Sequence, residues 1–190
     1  MPVEFVVVDN GSNGQTVEVL KRLSAVPQLP LKLILNIGNK GFGPGNNQGV
    51  EASMGSVLII TQPDVILKED VAEKAREAND YFLYGPQLND YDTGWNRFGT
   101  TIVPYLNGHF LVCTRKTWDV IGGFDSRYYP TDFEDVDLSY TAVQKGVELV
   151  QTPYNVMHLS SGSWSLRSDR LQVTRNNRKV FAQKWGLPCE

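Results

Sequence analysis

Four carboxylates fall within six residues in the stretch Tyr128-Tyr129-Pro130-Thr131-Asp132-Phe133-Glu134-Asp135-Val136-Asp137-Leu138-Ser139. Three aromatic rings stand close by, and the tight turn Gly122-Gly123-Phe124-Asp125 lies just upstream. Acids at a helix start are explained by the helix dipole alone, which covers Glu134 and Asp135. The dipole does not explain the rings or the turn. Rings beside clustered acids suit a site that keeps one carboxylate ready as a base next to a sugar or a metal.

Other candidates are scattered along the chain. Asp9 follows a hydrophobic run and precedes Asn10-Gly11-Ser12. It reads either as a turn or capping residue or as a carboxylate that meets a ligand at a strand end. The loop Asn36 to Gly45 holds four glycines between Gly38 and Gly45. Glycine lets backbone approach a ligand, and free N–H groups suit anions, yet the pattern is neither a Walker loop nor a dinucleotide fingerprint. Asp64 follows Pro63 at another strand end and is a hard oxygen donor suited to Mg2+ or Mn2+, provided a second ligand joins it. His158 ends an extended run before a Ser/Gly stretch; a lone histidine is more often structural than a ligand, but this is a reasonable place for a ligand. His109 lies in an apolar run and reads as a packing or hydrogen-bonding residue.

These residues need elements to carry them. Glu4 to Val8, Leu31 to Leu35 and Ser56 to Thr61 read as strands, with helices over about 15–25 and 46–52 between them. Strand–helix–strand alternation predicts a parallel α/β sheet with ligands at the carboxyl ends of the strands. Further along, the pattern predicts a helix over 68–79 and a strand over 82–86. It then predicts a loop over 89–98 as a candidate for substrate contact or for a lid, a strand over 106–113 broken at Gly108, and a helix over 115–121 ending at Gly122-Gly123. A helix over 134–145, a strand over 147–152 and a basic helix over 168–185 follow. The last helix carries Leu171, Val180 and Phe181 on its apolar side. A membrane-surface or acceptor contact for its basic face is weighed against a solvated face packed on the sheet.

The 190 residues suffice for one domain with a real core. The expected division is a single domain over 1–190: a nucleotide-binding half at about 1–105, an acceptor half at about 106–165, and a C-terminal helix at about 168–186. Apolar residues make up 41%, charged residues 21%, and net charge is −3. No global basic field exists to draw nucleic acid or anionic lipid. Cys113 and Cys189 match no metal or redox spacing, and Cys113 reads as a core thiol. No apolar run approaches the roughly 20 residues of a membrane span, and no signal peptide is recognised. The expectation is a cytoplasmic protein, with peripheral attachment at the membrane surface as the variant.

Taken in order, several segments resemble family 2 glycosyltransferases of the GT-A fold, in particular the rhamnosyltransferase-like group. They are VVVDNGS (6–12), NIGNKGFGPGNNQGV (36–50), LIITQPDVIL (58–67), NGHFLVCTRKTWDVIGGFDSRYY (107–129), FEDVDLS (133–139) and VMH (156–158). The ordered set is specific although each motif alone is modest. The resemblance implies a nucleotide-diphospho-sugar transferase fold, with a mixed, mostly parallel sheet flanked by helices. It implies inverting transfer from a nucleotide-sugar donor to a carbohydrate or other hydroxyl acceptor, with Mg2+ or Mn2+. A nucleic-acid acceptor lies outside the main expectation, although hydroxyl chemistry does not forbid it.

Residue by residue, the resemblance makes Asp135 the base and Glu134 the neighbour that orients the acceptor. Asp64 matches the last acid of the family's metal motif, whose first acid is here Gln62, and His158 matches a further metal ligand. Asp9, Asn10, Ser12, Asn39, Gly41 and Asn47 join Asp64 on the donor side. Trp95, Gly108 and Trp164 fall on the acceptor side, with Tyr128 and Tyr129 as further rings for sugar faces. Asp137 reads as a structural residue at the helix start. The family places a strand and helix before VVVDNGS, and here the resemblance starts at that strand. The expectation is that neighbouring strands close the gap or that self-association, as a homo-oligomer, compensates for it. The same gap motivates the rival reading, a degenerate sugar- or nucleotide-binding protein without catalysis. A nucleotidyltransferase would require a more basic glycine loop than one with Lys40 alone.

Overall fold

The computed structural model describes residues 3–159 and 167–189. In chain order the elements are β1 (Phe5–Asp9), α1 (Gly14–Ser24), β2 (Leu31–Leu35), α2 (Phe42–Ala52), β3 (Val57–Thr61), β4 (Val65–Leu67), α3 (Val71–Ala75), β5 (Phe82–Gly85) and β6 (Leu88–Asn89). There follow β7 (Arg97–Phe98), β8 (Thr101–Ile102), β9 (Tyr105–Leu106), β10 (Phe110–Thr114), α4 (Arg115–Ile121), α5 (Glu134–Gln144), β11 (Glu148–Gln151), β12 (Val156–His158) and α6 (Arg170–Trp185).

β1 and β2 pair in parallel, Phe5 opposite Leu31 through Asp9 opposite Leu35. A second sheet runs β11-β5-β10-β3. Within it β11 and β5 are parallel, while β10 is antiparallel to both β3 and β5. The sheet is mixed, and its parallel share is smaller than strand–helix alternation suggests, because β10 reverses direction at the centre. Val-, Ile- and Leu-rich strands are buried there: Phe110 to Cys113 are fully inaccessible, with Leu58, Ile60 and Leu83 beside them. Trp118, Ile121, Phe124, Leu138 and Ala142 pack onto this core from α4, the following turn and α5. Cys113 is the core thiol expected, and burial pushes it up to about 12.

Several boundaries differ from expectation. α2 starts at Phe42, so the end of the glycine loop is its first turn. Pro44 fits there because the early N–H groups of a helix lack intrahelical partners anyway. The helix expected over 68–79 is only Val71–Ala75, capped by the Asp70 side chain on Glu73 N. The 89–98 loop contains the short strand β7 and, with its surroundings, forms two small antiparallel ladders, β6 with β9 and β7 with β8. On α6, Phe181 is buried as expected, but Leu171 is 59% exposed.

β1 and β3 belong to separate ladders, and no pairing among the described residues joins them. Direct closure of the gap is therefore not what the structure shows. The two are tethered at their starts instead. Glu4 Oε1 accepts from Met54 N at 2.6 Å and Gly55 N at 2.7 Å. The Arg115 guanidinium donates to the carbonyls of Val50, Ser53 and Gly55.

Candidate active site

The acidic stretch is built by a turn that changes the chain's direction just before α5. Asp132 and Phe133 both take the left-handed conformation, with φ of 76° and 75°. Glu134 and Asp135 then open α5. Glu134 is 5% exposed. Its Oε1 accepts from Thr131 Oγ1 at 2.6 Å, while its buried Oε2 has no hydrogen-bond partner. Burial, and then the neighbouring Asp135 charge, pushes Glu134 well above the usual carboxylate range. A protonated Glu134 then has a donor to offer beside Asp135.

Asp135 is half-buried. Its Oδ2 accepts from Gly108 N at 3.0 Å, and its Oδ1 from Val136 N at 2.8 Å. Burial pushes this carboxyl up to about 6 against those two bonds, which favour the charged form. A side chain at position 108 would bring its Cβ to 3.1 Å from Asp135 Cβ, so glycine permits the close approach that delivers the N–H. Gly108, expected on the acceptor side, thus holds the Asp135 carboxylate. Tyr105 also belongs here and was missed from sequence. Burial raises its phenol, and the Asp135 charge adds to the shift. Nothing in its local pattern distinguishes it from the other tyrosines.

Asp137 faces away from this pair and is structural. Tyr128 Oη and Trp185 Nε1 donate to its Oδ1 at 3.0 and 2.8 Å, and Lys184 Nζ to its Oδ2 at 2.7 Å. Tyr128 is 1% exposed, so it is a core residue and offers no face to a sugar. Tyr129 is 56% exposed and lies against Gly41.

A second corner forms where β4 and β12 pair antiparallel, His158 opposite Val65. That ladder brings Asp64 Oδ2 to 3.3 Å from His158 Nε2. Asp64 Oδ1 is buried without a hydrogen-bond partner. The His109 ring stacks on His158 with centroids 4.6 Å apart and planes 2° from parallel. Burial, then proximity to His158, lowers His109 to about 4, so it stays neutral near pH 7. Among the described residues no group of three or more His, Cys, Asp or Glu is arranged to hold a metal. Asp64 and His158 supply two donors. An orphaned buried oxygen beside an imidazole fits a small divalent cation that draws its other ligands from phosphate and water.

The third corner is the end of β1 and the glycine loop. Of the two readings open for Asp9, the structure displays the turn: its Oδ2 accepts from Gly11 N and Ser12 N, both at 3.1 Å. Asn10 Nδ2 donates to Gly41 O at 2.9 Å, and its Oδ1 accepts from Asn36 Nδ2 at 3.0 Å. Asn39 Oδ1 accepts from Gly41 N at 2.8 Å. Asn47 is committed elsewhere, donating to Phe124 O at 2.8 Å and accepting from Phe124 N at 3.0 Å. These side chains shape the loop and tie α2 to the Gly122-Gly123-Phe124 turn. Trp95 is 37% exposed. Its carbonyl accepts from Arg178 Nε at 3.1 Å, and its hydrogen bonds do not reach Glu134 or Asp135. Trp164 lies outside the described residues.

The model of the family described as Glycosyl transferase family 2 matches residues 1–124, more than half of the chain. The chain belongs to glycosyl transferase family 2. No curated protein matches it significantly. Solved structures show the GT-A fold. A mannosyltransferase from Pyrobaculum calidifontis, in complex with GDP-Man and Mn2+, aligns with a TM-score of 0.65 at 20% identity, over 95% of this chain and 55% of that one. GalNAc-T7, with UDP, GalNAc and Mn2+, aligns with a TM-score of 0.69 at 16% identity, over 95% of this chain and 41% of that one. TarS of S. aureus aligns at 0.57 and 17% identity, over 92% and 33%. The chain thus spans about half the length, or less, of these structures. The family match ends before the acidic stretch and does not reach Asp135, Glu134 or His158. Among the described residues no helix is long and apolar enough to cross a membrane.

Proposed function

We propose that this family 2 protein is an inverting, metal-assisted glycosyltransferase that moves a sugar from a nucleotide-diphosphate donor to a hydroxyl acceptor. The observation that carries the reading is Asp135. It is a half-buried carboxylate held by Gly108 N–H, raised to about 6, beside a Glu134 whose buried oxygen has no partner. A base near 6 is ionised at neutral pH yet still takes a proton readily. Asp135 removes the acceptor hydroxyl proton, and Glu134 Oε2 turns the acceptor toward the donor. Asp64 and His158 would hold Mg2+ or Mn2+, whose charge offsets that of a leaving diphosphate. The nucleotide docks along Asp9 to Ser12 and Asn36 to Gly41, and Trp95 and Trp164 are the acceptor contacts that the sequence motifs suggest. Polysaccharide assembly at a cytoplasmic membrane surface is the setting this chemistry suits.

Asp135→Asn tests the assignment. Transfer should fall by about 10²–10⁴-fold, the usual scale for a general base, while nucleotide-sugar affinity and fold persist. Full activity in that variant removes Asp135 as the base.

One observation favours a second reading. Among the described residues β1 and β3 each pair on one side only, in separate ladders. A donor side left open in this way suits a non-catalytic sugar- or nucleotide-binding protein, unless a second copy covers the edges. Calorimetry with UDP, dTDP and GDP, with and without Mn2+, separates these. Metal-dependent binding with donor hydrolysis supports the enzyme, and silence toward every nucleotide supports the degenerate form. Light scattering shows whether a homo-oligomer forms.

A further inference from the structure

α6 reaches the acidic stretch from the far end of the chain, beyond the segment matched by the family model. The turn it meets is conformationally costly. Asp132 and Phe133 are consecutive L-residues at φ 76° and 75°, a region that side chains disfavour and that persists only where the surroundings enforce it. Asn177, buried at 4% exposure, donates from Nδ2 to the carbonyls of both Thr131 and Asp132, each at 2.9 Å. One turn earlier on α6, the Thr174 hydroxyl lies between Asp132 Oδ2 and the carbonyl of Arg170. One turn later, Phe181 packs against the Phe133 ring, with centroids 5.9 Å apart. Positions 174, 177 and 181 share one face of the helix, and that face grips the turn that aims Asp135 and Glu134.

We propose that Asn177 and Thr174 are positioning residues for the catalytic pair. By pinning the carbonyls and side chain of the left-handed turn, they fix the direction in which Asp135 leaves the start of α5. They touch neither donor nor acceptor. The inference rests on reading Asp135 as the base, and it explains why a helix so polar keeps Thr174 and Asn177 buried. A misplacement of about 1 Å in a reacting group can cost on the order of 100-fold in rate, so a loosened turn is felt in catalysis before it is felt in binding.

The experiment pairs kinetics with hydrogen exchange. Asn177→Ala should lower kcat by about tenfold or more and leave the donor KM within about twofold, the signature of an interaction that matters in the transition state. Thr174→Val should move the same way, and Thr174→Ser, which keeps the hydroxyl, should behave as wild type. Amide exchange across 131–137 should quicken in Asn177→Ala and Thr174→Val, with β10 unchanged. Wild-type exchange across 131–137 in both variants, or a Thr174→Ser as impaired as Thr174→Val, overturns the proposal. If Asn177→Ala does not fold, the Thr174 pair decides. A wild-type protein that transfers no sugar counts against the enzyme reading alone, because the exchange measurement still tests the clamp.

Discussion

Three side chains, Lys184, Tyr128 and Trp185, converge on the one buried carboxylate of Asp137, whereas no residue of α1 is buried at all. The first region supports the acidic stretch and the second supports the nucleotide side. Both oxygens of Asp137 accept hydrogen bonds, and Phe98, Phe133 and Phe181 belong to one buried cluster. Along the nucleotide side Val19, Leu23 and Val26 form an exposed stripe, and Val3 and Phe5 are also open. The contrast shows that the acidic stretch is held by contacts within the described residues, while α1 and β1 leave apolar surface available for something else to cover.

The largest effect should come from the first region. Lys184→Met leaves the buried Asp137 carboxylate without its cation and should cost about 3 kcal/mol, a fall of about 6–12 °C in melting temperature for a chain of this size. Thermal denaturation checks it, and a loss below about 1 °C would break the comparison. Next comes the metal corner. Asp64→Asn should weaken Mn2+ binding about tenfold, or ~1.4 kcal/mol, measured by titration with nucleotide present. Unchanged affinity would remove Asp64 from the site. The smallest effect is expected on α1, where Leu23→Ser should shift stability by no more than about 0.5 kcal/mol. A larger loss, accompanied by dissociation of a dimer in light scattering, would show that a second copy covers this stripe.

How much of this was legible in the sequence follows from the range of the interactions. The helix at Arg115–Ile121 is readable because its signals are local: the Thr114 side chain caps Thr117 N, and Gly122 ends it at φ 93°. The acidic stretch stood out through composition. The loop expected over 89–98 is present over 90–96, and the strand residues at its ends, Asn89 and Arg97–Phe98, escape notice because ladders of two residues carry too little pattern to recognise. The 68–79 helix was overextended because Arg76 to Asn79 suit a helix locally, while Asn79 N instead donates to Tyr84 Oη at 3.1 Å. Asp64 and His158 could be suspected separately, but the β4–β12 ladder that joins them spans about ninety residues of chain. His109 against His158, Tyr105 near Asp135 and Asn177 on the Asp132 turn are all long-range, and no local periodicity announces them.

The pH dependence of transfer tests the poised base most directly. Burial raises Asp135 to about 6, above the ordinary aspartate value of about 3.9. The protonated form cannot act as a base, so kcat/KM should level off above about pH 7, halve near pH 6 and approach a tenfold fall per pH unit below about 5. An acid limb centred near pH 6 is the predicted result. A rate that stays constant down to pH 4.5, in protein shown to remain folded there, would contradict the assignment of Asp135.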